Sequence, residues 1–194
     1  MKLPSFRKSA ASCLTEPAVH FLAKTHITPS AVTWLGFSIA LGAAALIATG
    51  HLFVAGFVVL IAGFFDMLDG ALARYTGRVT RLGAILDSTL DRVSEAVLLI
   101  SILVWYIREI STLEVILVSV ALLGSLLVSY IRARAEAVGV ECEVGLFTRP
   151  ERVIVMAVGL IVNQVAIALG IIVILSFFTI GQRFLYVRRQ IKTE

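Results

Sequence analysis

Charge is scarce in this chain: Asp, Glu, Lys and Arg make up 15% of its 194 residues, hydrophobic residues make up 59%, and mean hydropathy is +0.96. Such a composition excludes a soluble globular domain and a disordered chain alike. Cysteine is limited to Cys13 and Cys142, which excludes a disulfide framework. Both thiols are expected near the cytoplasmic side and reduced. No His or Cys cluster has the spacing of a zinc site. The N-terminal residues lack the apolar core and small-residue cleavage site of a secretory signal peptide, so they are expected to remain in the mature protein. A formal net charge of +4 would suggest nucleic acid in a soluble protein, but nothing here resembles a nucleic-acid reader.

What the chain has instead is a series of uncharged runs long enough to cross a bilayer. The sequence predicts an all-α polytopic membrane protein with one domain over residues 1–194: a juxtamembrane segment, 1–28, and a six-helix bundle, 29–188. Lys2, Arg7, Lys8 and Lys24 lie among Phe6, Leu14, Phe21 and Leu22, which suits an interfacial amphipathic helix broken at Pro17. Thr28-Pro29-Ser30 marks the start of the first span, Ala31–Gly50. The second opens at His51 and is uncharged through Phe65, the third runs from Leu82 to about Ile107, and the fourth from Val115 to Tyr130. Arg149-Pro150-Glu151-Arg152 is a further helix start. Val153–Gln182, again uncharged, reads either as one long helix or as two meeting at Asn163-Gln164. With six spans and a cytoplasmic N-terminus, the basic residues at 2–24, 74–92, 132–152 and 183–192 share one side and Arg108 alone is opposite. The positive-inside tendency therefore favours two helices with both chain ends inside, which puts the ionisable groups of residues 66–91 at the cytoplasmic side; a plasma-membrane location is expected.

Within this apolar frame, Asp66, Asp69, Arg74, Asp87 and Asp91 are ionisable groups in segments greasy enough to span, where such groups signal function. Residues three or four apart share a helical face, so Asp66, Asp69 and Ala73 align on one helix and Gly83, Asp87 and Asp91 on the next. Two facing carboxylate pairs make a hard-oxygen site for a divalent cation, Mg²⁺ with Mn²⁺ as the alternative. Because Mg²⁺ commonly completes its shell with substrate phosphate, the pattern points to phosphoryl chemistry. Gly70 and Gly83 permit close backbone approach, and Arg74 is placed to pair with a phosphate.

The pattern Asp66-x-x-Asp69-Gly70-x-x-Ala73-Arg74, eight residues, Gly83-x-x-x-Asp87-x-x-x-Asp91 resembles the complete signature of the CDP-alcohol phosphotransferase family. The resemblance implies a homodimeric six-helix enzyme in the membrane that transfers a phosphatidyl-type group from a CDP-lipid to an alcohol and releases CMP. It implies that Asp66, Asp69 and Asp87 hold metal, with Asp91 bridging it or acting as general base. It also implies CDP-lipid contacts at Ser30, Ala31, Val32, Thr33, Asp66, Asp69, Gly70, Ala73, Arg74, Thr80 and Gly83.

The segments Ser129–Glu136 and Arg149–Arg152 are similar to those of prokaryotic phosphatidylinositol-phosphate synthases, which use inositol 1-phosphate. Arg132, Arg152 and Arg183, from the cytoplasmic ends of three spans, are expected to converge on the acceptor's phosphate; Arg132 stands where a lysine is common. Glycerol 3-phosphate or another small alcohol is the alternative acceptor, and both diacylglycerol and archaeol fit the lipid. A cation or proton transporter is a reading of another class, disfavoured because the acids cluster at one side and form no path across.

Overall fold

In a computed structural model of the chain, residues 15–25, 27–142 and 144–191 are described, and among them the secondary structure is helical without strands. The helices are α1 (residues 15–23), α2 (Pro29–Ala48), α3 (Leu52–Tyr75), α4 (Arg81–Arg108), α5 (Thr112–Ala137), α6 (Arg149–Ile161) and α7 (Val165–Ile191). The expected interfacial helix falls partly on residues 1–14, outside the described residues. Pro17 lies within helical residues 15–23 and does not break them. Its missing N–H sacrifices no bond inside that stretch, because the acceptor four residues back would be residue 13.

Local chemistry sets the helix starts. The Thr28 side chain accepts from the Ala31 N–H at 3.3 Å, with Pro29 in the first turn of α2. Thr80 caps α4 by accepting from the Gly83 N–H at 3.0 Å. Thr148 and Glu151 form a capping box on α6, in which the Thr148 N–H donates to Glu151 Oε2 at 2.8 Å. Such caps satisfy N–H groups left over at a helix start. Asn163, with φ of 54°, turns the chain between α6 and α7, so the uncharged run 153–182 is two helices. Asparagine tolerates this left-handed conformation better than most side chains.

Among the described residues four helices, α2, α3, α5 and α7, are long and apolar enough to cross a membrane. The other two expected spans depart for different reasons. The first half of α4 carries Asp87, Asp91, Arg92 and Glu95. α6 has 13 residues, about 20 Å of helix, against a hydrocarbon thickness of about 30 Å.

Neighbouring helices close a ring in the order α2, α3, α6, α7, α5, α4 and back to α2. Its interior is filled by Ile47, Val59, Leu99, Ile102, Val118, Leu160, Leu169 and Ile172, among others. Val19 of α1 packs separately on Val32, Leu68 and Leu72, beneath the junction of α2 and α3. The apolar core thus occupies most of the ring, and polar side chains gather where α3 ends and α2, α4 and α6 begin.

Candidate active site

A cavity of about 440 Å³ opens at that end. Its walls are the first turns of α2 and α4, the last turns of α3 and the connection carrying Arg78 and Val79. Of the residues expected to bind the CDP-lipid, it gathers Ser30, Thr33, Asp69, Gly70, Ala73, Arg74, Thr80 and Gly83, and it adds Asp87. Ala31 and Val32 are not among its walls: Val32 is buried in the small cluster with Leu68 and Leu72. Helix starts present unpaired N–H groups and a positive dipole end, so two of them beside Arg74 and Arg78 make the cavity suited to a polyanion.

Two glycines shape its floor. A Cβ on Gly83 would lie 2.9 Å from Thr80 Oγ1, so the α4 cap depends on glycine there. A Cβ on Gly70 would lie 3.3 Å from Arg74 Nη1, so the bare backbone lets the guanidinium fold back along its own helix.

The aspartates divide into two groups. Asp69 and Asp87 face the cavity. Asp69 is buried, with one oxygen accepting from the Gly70 N–H and Oδ2 buried without a partner. Asp66 and Asp91 instead share Arg149, whose Nη2 donates to Asp66 Oδ2 at 2.6 Å and whose Nη1 pairs with Asp91 Oδ1. All four carboxylates act electrostatically on one another. Among the described residues no three His, Cys, Asp or Glu side chains are drawn tightly enough to hold an ion as they stand, because a guanidinium is wedged between two of the four. The donor set still fits a hard dication: it is all carboxylate, it comes from consecutive helices, and Asp69 Oδ2 is a buried acceptor lacking a donor.

Arg149 is the site residue that sequence reasoning passed over. Its signals were the helix-start motif and the family likeness of the segment Arg149–Arg152, and nothing local links it to Asp66, 83 positions earlier.

Of the three arginines expected at the acceptor, Arg152 is 1% exposed and pairs with Glu95 through Nε and Nη2, at 2.5 and 2.8 Å. Its Nη1 is buried without a partner. Arg183, also buried, donates to the carbonyls of Val144 and Val128 and so ties the loop before α6 to α5. Arg132 is half-exposed and pairs with Glu136 at 2.8 Å. Arg183 lies within electrostatic reach of both Arg132 and Arg152.

Comparison with known proteins accounts for this architecture. The family model for CDP-alcohol phosphatidyltransferase matches residues 26–184. The phosphatidylinositol phosphate synthase of Mycobacteroides abscessus is 36% identical over 184 residues, covering 90% of this chain and 84% of its own. The archaetidylinositol phosphate synthase of Methanothermobacter thermautotrophicus is 37% identical over 167 residues, covering 83% of each. The Mycobacterium tuberculosis phosphatidylinositol phosphate synthase has been solved with CDP-DAG bound. It superimposes with a TM-score of 0.82 at 35% identity, covering 89% of this chain and 92% of that one. A second structure of it, in complex with manganese and citrate, gives a TM-score of 0.80 at 35% identity over 89% of this chain and 88% of that one. With a family model spanning most of its length and relatives matched almost end to end, the chain belongs to the CDP-alcohol phosphatidyltransferase family.

Proposed function

We propose that this enzyme transfers a phosphatidyl-type group from a CDP-lipid to the hydroxyl of inositol 1-phosphate, releasing CMP, in a Mg²⁺-dependent reaction. The observation that carries this reading is the cavity in which Asp69, Asp87, Arg74 and the starts of α2 and α4 meet. The CDP pyrophosphate is the polyanion it suits. In the reaction, the acceptor oxygen forms a bond to the lipid-side phosphorus while the bond from that phosphorus to the CMP phosphate breaks. Attack is in line and direct, without a covalent enzyme intermediate. Asp91 accepts the hydroxyl proton as general base, which requires it to exchange its pairing with Arg149 for the incoming hydroxyl. Arg74 holds the nucleotide-side phosphate, and Asp66, Asp69, Asp87 and Asp91 are the residues that would hold the dication. A bound dication supplies charge neutralisation at the pyrophosphate and the leaving phosphate.

The inositol phosphate acceptor is supported by the names of the bacterial and archaeal relatives and by Arg183 lying within electrostatic reach of Arg132 and of Arg152. The same relatives carry both donor classes, so the reading leaves the lipid as CDP-diacylglycerol or CDP-archaeol. We read α2 to α7 as the six expected membrane helices of a plasma-membrane homodimer, with the cavity facing the cytoplasm.

The test is CMP release by the purified protein with inositol 1-phosphate, free inositol, glycerol 3-phosphate or serine, each with both CDP-lipids, with and without Mg²⁺. Release only with inositol 1-phosphate and Mg²⁺ is expected. A preference for glycerol 3-phosphate would overturn the acceptor while leaving the chemistry. Cation flux in proteoliposomes lacking CDP-lipid, without CMP release, would overturn both.

A further inference from the structure

One helical turn beyond the carboxylate cluster, on both α4 and α6, lies a second ion pair. Asp91 and Glu95 are four residues apart on α4, and Arg149 and Arg152 are three apart on α6, so each couple shares a face. The contacts Arg149–Asp91 and Arg152–Glu95 are successive rungs, and they join helices that are not neighbours in the ring. The second rung is the more deeply buried. Both Glu95 oxygens are taken by Arg152, and Ser125 on α5 donates to Oε1 at 2.9 Å. Glu95, Ser125 and Arg152 are all buried. Stability alone is a poor reason for such an arrangement, since a buried ion pair is often no more stabilising than a well-packed apolar pair of the same size. What it supplies is direction. With Nε and Nη2 committed to Glu95, the guanidinium plane of Arg152 is fixed, and Nη1 is left as its one buried, unpartnered donor edge.

We propose that Glu95, anchored by Ser125, is a positioning residue that aims Arg152 at the phosphate of the acceptor. The inference rests on the assignment of Arg152 to the acceptor under Proposed function. Ser125 restrains one carboxylate oxygen, Glu95 orients the arginine, and the arginine meets the substrate. The arrangement spans three helices, so it holds the acceptor end of the site to the same frame that carries Asp91.

The experiment measures KM for inositol 1-phosphate and for CDP-diacylglycerol separately, with kcat, in Glu95→Gln, Ser125→Ala and Arg152→Gln. Thermal unfolding is run on each variant. Glu95→Gln should raise the acceptor's KM about tenfold or more, the effect of misdirecting a charge-assisted hydrogen bond, and leave the CDP-lipid's within about twofold. Ser125→Ala, which keeps the ion pair and so guards against a Glu95 variant that fails to fold, should move the acceptor's KM about threefold in the same direction. If Arg152→Gln raises the acceptor's KM but neither Glu95→Gln nor Ser125→Ala does, the positioning role is overturned and the acceptor assignment stands. Equal effects on both substrates, or an effect on unfolding alone, would mark a structural staple and also overturn it. An unchanged acceptor KM in Arg152→Gln would overturn the acceptor assignment and this inference together.

Discussion

Arg149→Gln is the substitution whose outcome the geometry specifies most fully. The side chain donates to Asp66 and Asp91 at once, and the three partners are between 15% and 24% exposed. Removing one partner of a fully buried ion pair costs about 3–5 kcal/mol. Partial exposure lowers this, and a glutamine can recover one of the two hydrogen bonds, so about 2–3 kcal/mol is expected. At about 2–4 °C per kcal/mol for a chain of this size, the thermal midpoint in detergent should fall by about 5–10 °C without divalent ions. The same change removes a positive charge that competes for two of the four carboxylates. Mn²⁺ should therefore bind the variant about tenfold more tightly or better, as a Coulomb term of even a third of the roughly 4 kcal/mol for two charges at 4 Å would require. Adding Mn²⁺ should also restore more of the midpoint than it adds in the unsubstituted protein. Unfolding with and without MnCl₂, together with an electron paramagnetic resonance titration of Mn²⁺, reads both quantities. An unchanged midpoint, or Mn²⁺ affinity equal to or below that of the parent, would refute the reasoning that Arg149 and the cation share these ligands.

Other outcomes follow from single contacts. Asp69→Asn keeps the volume but removes the charge beside the unpartnered Oδ2. CMP release should fall by about a thousandfold, in line with loss of a group acting on the transition state, and Mn²⁺ binding should weaken in the titration. Gly83→Ala places a methyl 2.9 Å from Thr80 Oγ1. It should cost about 1 kcal/mol of cap stability and raise the CDP-lipid's KM several-fold while sparing the acceptor's, as steady-state kinetics will show. Gly56→Ala drives a methyl to 2.6 Å from Ile161 Cγ1 and 2.8 Å from the Ala157 carbonyl. It should lower stability by about 1–3 kcal/mol in thermal unfolding and leave both KM values unchanged, because α3 and α6 meet there away from the cavity.

The readable and unreadable parts of this molecule differ in the range of the interactions behind them. The spacing of Asp66, Asp69, Asp87 and Asp91 is local helical geometry, and so are the caps at Thr28 and Thr80. The turn at Asn163 was legible because charge asymmetry across the chain required an extra reversal. Pairings across the ring left no such trace. Arg149 carries a helix-start motif and a family likeness but no local sign of its partners on α3 and α4, and Glu95 is one of several charges in the first half of α4. Arg152 and Arg183 carry the charge that placed them among acceptor-binding candidates, but charge does not tell an exposed side chain from one committed to a glutamate or to two carbonyls. The shortness of α6 follows from two of the same local signals, a helix start at Arg149-Pro150 and a turn at Asn163, and the helix between them has 13 residues.

The short α6 begins deep beside its neighbours. Its first turn meets Asp66 and Asp91, which lie roughly two and a half helical turns, about 14 Å, inside the ends of α3 and α4. A helix starting that far down puts Arg149, in its first turn, level with those carboxylates and not with the ends of the neighbouring helices. Each helical residue inserted between Arg149 and the turn at Asn163 would shift that guanidinium by about 1.5 Å along the axis. The length of one helix thus sets the depth at which a positive charge meets the carboxylates.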